Sequence, residues 1–529
     1  MKEPAALDTP PKPDVAPRPR PDPGVPGGAG PPSRRHRLTA AGVSGLLLAA
    51  AFPPFDLGPL ALVALAPLVW AWRGAGPRLG ALCGAVAGVA FFGVLVSWTW
   101  YFGSVAYLPF VLFLSTWWAL AGAVLGWLDR RGAAAAPVVA AVWILVEAGR
   151  SRWPFGGFSW GEVGYAFHDI PVARSVSAWG GVLLVSFAAV SVNVLLVDAL
   201  RARDRRTAVR GPLARAAGVL AACVAAHVLL PGLEATGTLR VALVQGNDRN
   251  RDLTREEVAG RYLSDNHLRL ATAYTGAADL IVLPESSLEV DPRSDPELDA
   301  RLTALAEQHG AVVLAGGNTE APGGRLYNTT FMYEATGRTP AVYQKRHLVP
   351  FGEFVPWREA LSFIDALEGV PRDYAPGSGR TLFEVAGRPV GTLICFESAF
   401  GPMARDYARN GAEAIVISTN NRSYRRSANS AQHIAMGQFR AAETGRPVLQ
   451  AAISGISGII DSSGRVLSKT ELFEPTVLAG EVTTRTGDTP YVAVGEWTLA
   501  LAAGLLLSAL ARPLRRRRRP GGVGRRTGS

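Results

Sequence analysis

A polytopic α-helical membrane part joined to a layered α/β domain is what this sequence predicts, on three observations. Hydrophobic residues make up 48% of the 529 and charged ones only 18%, too apolar a balance for an ordinary soluble protein. Between residues 33 and 231, apolar stretches alternate with short polar breaks, and each stretch is near the length a bilayer needs. From 232 to about 490 the pattern changes to short apolar runs alternating with helical ones, the mark of an α/β domain. The length suffices for two sizeable units, each with a full core.

Residues 1–32 are rich in proline and lack apolar residues to bury, so a disordered cytoplasmic tail is expected there. The tail has no apolar core or cleavage site and does not read as a signal peptide. A basic collar follows, Ser33-Arg34-Arg35-His36-Arg37. Seven candidate spans come next, at about 38–55, 57–73, 79–101, 105–128, 134–149, 177–199 and 213–231, the second and fifth being short. An eighth, 491–511, precedes the basic tail 512–529 with its Arg515 to Arg519 run.

Charge sets the expected orientation. If all eight segments span, the collar, Arg73 and Arg78, Asp129-Arg130-Arg131, the Arg201 to Arg215 cluster and the last basic run share one side. The loops Phe52 to Gly58 and Phe102 to Ala106 on the other side are nearly uncharged. The positive-inside rule makes the first set cytoplasmic and puts 232–490 outside. The net charge of +11 therefore suits topology and anionic lipid, and no nucleic-acid module accompanies it.

Cys83 and Cys223 lie inside long apolar segments, where a cysteine is a packing residue. No cysteine pair has metal-ligand spacing, so no metal, cofactor or disulfide framework is expected. Cys395 differs. It ends the apolar run Val390 to Ile394 and precedes Phe396-Glu397-Ser398, as a thiol presented at the carboxyl end of a strand would. A lone cysteine is more often a buried hydrophobe. Two other stretches weigh against that reading: Ile281-Val282-Leu283-Pro284 is a second apolar run, ending on Glu285, and the Pro/Gly loop from Tyr343 to Phe354 carries Lys345 and Glu353. Strands are expected at 239–245, 280–284, 312–315, 328–333, 390–394, 414–418 and 448–452, and helices at 255–274, 296–309, 402–410 and 429–444.

Glu, Lys and Cys in this order resemble the catalytic triad of the nitrilase superfamily, and the likeness runs from Val241-Ala242-Leu243-Val244-Gln245-Gly246-Asn247 to Gly480-Glu481-Val482. The run Lys345-Arg346-His347-Leu348-Val349-Pro350-Phe351-Gly352-Glu353-Phe354-Val355-Pro356 is more specific. Beside a polytopic membrane part, it makes the chain similar to the apolipoprotein N-acyltransferase family. The resemblance implies an α-β-β-α sandwich, Cys395 as nucleophile, Glu285 as general base, and Lys345 with the backbone N–H of Phe396 facing the oxyanion. It gives Glu353 a supporting role and places Glu397 after the nucleophile. It further implies a phospholipid acyl donor, diacylglyceryl-modified apolipoproteins as acceptors, a thioester intermediate, and residence in a bacterial plasma membrane with the catalytic part on the extracytoplasmic face. His347, two residues from Lys345, is read as a packing or hydrogen-bonding residue.

The chain also departs from the family. Where an Asn-Asp-Ala-Trp-Phe-Gly-like stretch is usual, it has Thr419-Asn420-Asn421-Arg422-Ser423-Tyr424-Arg425-Arg426, with three arginines. Ile453-Ser454-Gly455-Ile456 stands where an Asn-Gly pair is frequent, and Arg249 to Thr254 where a tryptophan is common. The loop from Arg150 to Trp160 admits two readings, an interfacial aromatic belt or the wall of a lipid cleft with Arg150 or Arg152 near a phosphate. Three other functions stay open: a membrane-tethered amidase of the same superfamily, an inactive lipoprotein-binding relative, and a transporter. Ionisable residues are few inside the spans, against the transporter.

Overall fold

The computed structural model describes residues 32–249, 253–364, 367 and 369–511. The expected tail 1–32, but for its last residue, and the basic run at 512–529 lie outside these. The first half is helical: α1 (Arg34–Ala50), α2 (Ala61–Ala64), α3 (Ala66–Trp72), α4 (Gly76–Leu95), α5 (Ser104–Arg130), α6 (Ala136–Arg150), α7 (Pro171–Gly180), α8 (Val182–Asp204) and α9 (Arg210–Val228). Among the described residues, α4, α5, α8 and α9 are long and apolar enough to cross a membrane. The other expected spans form shorter helices: α1 has 17 residues, α6 has 15, and 57–73 breaks into α2 and α3. The sixth span starts later than expected because Gly181, at φ +76°, separates α7 from α8. A side chain there would be strained and would meet the Tyr491 ring at 3.0 Å.

Small residues let α4 and α5 approach closely. A Cβ on Gly84 would stand 2.0 Å from the Trp118 carbonyl oxygen, and one on Gly122 would stand 2.1 Å from that of Gly80. Between two apolar helices, small residues at these positions allow backbone-to-backbone packing.

Among the described residues the second half contains twelve strands: β1 (Glu234–Gln245), β2 (Leu280–Leu283), β3 (Val312–Ala321), β4 (Arg325–Glu334), β5 (Gly337–Gln344), β6 (Leu382–Val385), β7 (Arg388–Ile394), β8 (Ala414–Thr419), β9 (Val448–Ala452), β10 (Gly458–Ile460), β11 (Val466–Lys469) and β12 (Thr476–Thr486). They form two six-stranded sheets, ordered β12-β1-β2-β3-β4-β5 and β11-β10-β9-β8-β7-β6. Leu239, Val241, Leu243, Val282 and Leu314 of the first sheet pack against Phe383, Val390, Leu393, Ile415 and Ile417 of the second. The helices α10 (Arg255–Ala259), α11 (Tyr262–Ala273), α12 (Pro296–His309), α13 (Gly401–Arg409) and α14 (Asn429–Thr444) connect the strands. Leu268 of α11 with Leu298, Leu302 and Leu305 of α12 cover the outer face of the first sheet, and α13 and α14 cover the second. This is the α-β-β-α sandwich. All seven expected strands are present, and so are the expected helices, the first of them divided at Gly260–Arg261 into α10 and α11.

All of α14 except Ala431 is buried, although it is an outer-layer helix. Helices and loops of the first half cover it, α7 among them. The chain then returns through α15 (Pro490–Val494) to α16 (Trp497–Leu510), which packs on α6.

Candidate active site

Strand β7 delivers Cys395. Its last residues are buried and paired in parallel with β8, Ile394 opposite Ser418. The chain then turns sharply. Cys395 has φ +51°, a strained value for a non-glycine residue, and a single helical turn, Cys395–Ala399, leads to α13. The thiol side chain is left half-buried. Glu397 fixes the turn: its carboxylate accepts from the Ile394 N–H at 2.8 Å, the Arg346 N–H at 2.7 Å, the His347 N–H at 3.0 Å and the Tyr343 hydroxyl. The lysine loop is thereby tied to the nucleophile strand.

Glu285 follows β2 on the other sheet, with Ser286 also at positive φ. Lys345 follows β5. The structure brings them together: the Lys345 Nζ donates to Glu353 Oε1 at 2.8 Å and to Glu285 Oε1 at 3.3 Å, with Lys345 1% exposed. Asn328 on β4 bridges the two carboxylates through its Nδ2, at 2.7 Å from Glu285 and 3.1 Å from Glu353. The remaining oxygens accept backbone N–H groups, Asn420 for Glu285 at 2.8 Å and Val349 for Glu353 at 2.7 Å. A buried charge is tolerable only when paired and hydrogen-bonded, and this one has two carboxylates and an amide around it.

Electrostatics follow from that burial. Desolvation, then the Glu285 charge, push the Cys395 thiol up to about 12, with Lys345 pulling the other way. Burial acts to lower Lys345, but Glu285 and Glu353 outweigh it and hold the ammonium well above its ordinary range. Such a thiol is not a standing thiolate; it reacts only if a neighbouring base takes its proton.

Phe396 and His347 shape the approach. The Phe396 ring stacks on Phe158 at 6.0 Å and meets Phe400 edge-on at 5.0 Å. His347 packs against Phe400 at 3.9 Å, and burial followed by the Lys345 charge lowers its pKa to about 4. That is a packing histidine.

Sequence reasoning missed Asn328 and His433. The His433 Nε2 lies 3.1 Å from the Cys395 carbonyl oxygen and 2.6 Å from the Ser398 hydroxyl, while Nδ1 faces the Asn421 amide at 3.2 Å. A neutral ring protonated at Nε2 shares that N–H between the Cys395 carbonyl and the Ser398 hydroxyl, and its Nδ1 accepts from the Asn421 amide. No spacing motif marks either residue, since each acts from an element remote in sequence.

The helical first half packs on the site from the α14 side. Gln432 donates to the carbonyls of Pro53 and Leu95 at 3.1 and 3.0 Å and accepts from the indoles of Trp98 and Trp160 at 3.2 and 2.7 Å. Arg440 donates to the carbonyls of Ser398 and Ala399 and pairs with Glu443, while the Tyr165 hydroxyl shares the Ala399 carbonyl. Of the two arginines weighed as phosphate ligands, Arg150 is 1% exposed and spent on the Trp160 carbonyl, and Arg152 pairs with Glu496. The aromatic loop acts here as a packed wall, with Trp153 exposed at its rim. Asp56, His168 and Asp169 converge closely enough to hold a cation, but the His168 ring already meets Asp56 at 2.7 Å and Gln438 at 2.8 Å, the pattern of an ion-paired histidine.

Residues 44–195 match the apolipoprotein N-acyltransferase N-terminal domain, and residues 240–491 match the carbon-nitrogen hydrolase family. An apolipoprotein N-acyltransferase of Geobacter metallireducens is 31% identical over 504 residues, covering 90% of this chain and 95% of that protein. One from Methylococcus capsulatus is 34% identical over 492 residues, covering 88% and 94%. Among solved structures, a CN-hydrolase superfamily protein from Xanthomonas campestris aligns at a TM-score of 0.35 and 20% identity, covering 52% of this chain and 97% of that one. With two such relatives matched almost end to end, the chain belongs to the apolipoprotein N-acyltransferase family.

Proposed function

We propose that this protein takes an acyl chain from a membrane phospholipid onto Cys395 and passes it to the α-amino group of the diacylglyceryl-modified N-terminal cysteine of apolipoproteins, the last step of lipoprotein maturation. Glu285 removes the thiol proton as sulfur attacks the sn-1 ester carbonyl. Lys345 and the Phe396 N–H stabilise the oxyanion, the ester C–O bond breaks, and Glu285 returns the proton to the departing lysophospholipid oxygen. The lipoprotein amine then attacks the thioester. Glu285 takes the amine proton, the C–S bond breaks, and the thiol is restored as the amide forms.

The observation that carries this reading is the meeting of Glu285, Lys345 and Glu353 in one hydrogen-bonded group whose charges act on Cys395, against a wall of apolar helices. Both proposed substrates are bilayer-anchored, so the thiol needs an apolar approach. In the same reading, residues 33–231 and 491–511 span the membrane, 232–490 form the extracytoplasmic catalytic domain, and both termini are cytoplasmic.

Intact-mass analysis of the protein incubated with phospholipid tests it. A hydroxylamine-sensitive acyl adduct is expected in the wild type, absent in Cys395→Ala and discharged by a diacylated lipopeptide. Discharge to water alone would favour a tethered hydrolase, and no adduct with any lipid would favour an inactive relative.

A further inference from the structure

The helices α3 and α9 both pack on α8, and a furrow of about 370 Å³ opens along the last turns of α8. Val63, Ala66, Leu196, Leu200 and Leu213 line it, and the exposed Arg203 adds a charge to this apolar lining. One wall is fixed. The chain breaks between α2 and α3 at Leu65, and the buried Asn193 of α8 fastens that break. Its Oδ1 accepts from the Leu65 N–H at 2.9 Å, and its Nδ2 donates to the Ala61 carbonyl at 2.9 Å. The furrow begins about one turn further along α8, at Leu196. On the other wall, Pro212 and Ala216 are the buried residues of α9. Val63, Leu200 and Leu213 stay exposed beside α8 and α9, which have membrane-crossing length and composition. Concave apolar surface there suits an acyl chain.

Position separates the furrow from the active site. The first residue of α8, Val182, meets the catalytic half through its N–H, which donates to Glu443 at 2.8 Å. Leu200 stands about 27 Å further along that helix, close to the thickness of a bilayer's hydrocarbon core. Charge points to the occupant. Six arginines and one acid, Asp204, stand between 201 and 215. Asp198, a turn before Arg201, is already paired with Arg73 at 2.9 Å. Among the described residues no carboxylate lies within ion-pair distance of Arg203 or Arg210. The positive-inside rule accounts for arginines at this end of α8, but not for an apolar furrow that runs up to one of them. A long arginine stem lies along apolar surface while its guanidinium reaches headgroup depth, and basic pockets between membrane helices hold anionic headgroups.

We infer that this furrow binds an anionic phospholipid, one acyl chain lying between α3 and α9 and the phosphate meeting Arg203 and Arg210. The lipid ties α9 to the rest of the helical half and stabilises the fold as it fills the site. In the membrane arrangement proposed above it belongs to the cytoplasmic leaflet, across the bilayer from Cys395, and is therefore distinct from the acyl donor. A headgroup bearing an ammonium sets a like charge beside the guanidiniums, whereas a polyol headgroup does not.

Native mass spectrometry of full-length Cys395→Ala protein, released from bilayers of equal phosphatidylglycerol and phosphatidylethanolamine, tests the inference. Without the thiol no acyl adduct forms, so the readout stands whether or not the acyl-transfer reading does. Bound phosphatidylglycerol is expected to exceed phosphatidylethanolamine by roughly tenfold or more. Adding Arg203→Gln/Arg210→Gln should bring the ratio near one, and Arg203→Lys/Arg210→Lys should keep most of it. Ala66→Phe fills the furrow, leaves both arginines in place and should lose the bound lipid. Equal binding of the two lipids before any further substitution, or an unchanged ratio in the glutamine variant, overturns the inference. Loss of the preference in the lysine variant as well overturns its electrostatic basis. Phosphatidylglycerol retained by Ala66→Phe also overturns it, assigning the lipid to the surface arginines and not to the furrow.

Discussion

Lys345 is the residue on which the buried charges balance. It is the only cation bonded to Glu285 and Glu353 among the described contacts, and Asn328 holds those carboxylates close to each other. Lys345→Met leaves two buried carboxylates facing each other, which should cost about 3–5 kcal/mol. Adding Glu353→Gln should recover part of that stability without restoring the acyl adduct, as read by thermal unfolding and intact mass together. Recovery of the adduct would show that the lysine is structural. His433 offers a pH prediction. Burial lowers its pKa to about 4, from about 6.5 for a free histidine. The unfolded chain then binds the proton more readily than the native one, so this residue's neutral form supports the fold at pH 7 and that support is lost as pH falls below about 6.5. At pH 4.5 the loss is about 2 kcal/mol. His433→Asn removes the titration, so its Tm should fall less than that of the wild type between pH 7 and 4.5. An equal fall would mean that His433 is protonated in the native state.

At the scale of elements, α14 joins the two halves, and Gln432 is its central contact. Gln432→Leu fills the space but forfeits bonds to Pro53, Leu95, Trp98 and Trp160. Two carbonyls and two indoles are left to find other partners, at roughly 1–3 kcal/mol for each that fails. The expected outcome is faster hydrogen exchange in the turn Ser97–Phe102 and in α14, with β1 to β4 unchanged. Unchanged exchange in that turn would show that the aromatic packing alone holds the halves together. What was legible in the sequence divides along the same line. Strands whose ends are buried, such as β2 and β7, show as apolar runs, and each ends at or near a candidate residue. The strands β5, β6, β10, β11 and β12 lie toward the sheet edges; β11 is half-exposed, and β12 has exposed and half-exposed positions. Their mixed composition carries no comparable signal. Glu285 and Cys395 were legible because each follows an apolar run, and Lys345 only through the Pro/Gly loop whose motif carries the resemblance. Asn328 and His433 reach the site from the middle of β4 and α14, so only the tertiary fold reveals them.

At the scale of the whole molecule, charge and helix length bear on orientation. The helices α4, α5, α8 and α9 have membrane-crossing length and composition, while α1, α6 and α16 are shorter and carry part of the expected topology. Short helices pack against others and cover less hydrocarbon, so length alone does not fix which of them cross. Charge does distinguish the two sides. The segment 201–215 is dense in arginine, whereas the catalytic half carries both signs interspersed. If that asymmetry was set by insertion, Thr207 faces the cytoplasm and Ser294, before α12, faces outward. Both residues are exposed, and neither touches the site described above. In a background of Cys223→Ala and Cys395→Ala, with Cys83 buried, a membrane-impermeant maleimide on intact spheroplasts should label Ser294→Cys and leave Thr207→Cys unlabelled until the membrane is opened. The reverse pattern would place the thiol and its lysine on the cytoplasmic face. It would then contradict acylation of lipoproteins after export, even if Cys395 forms a thioester in vitro.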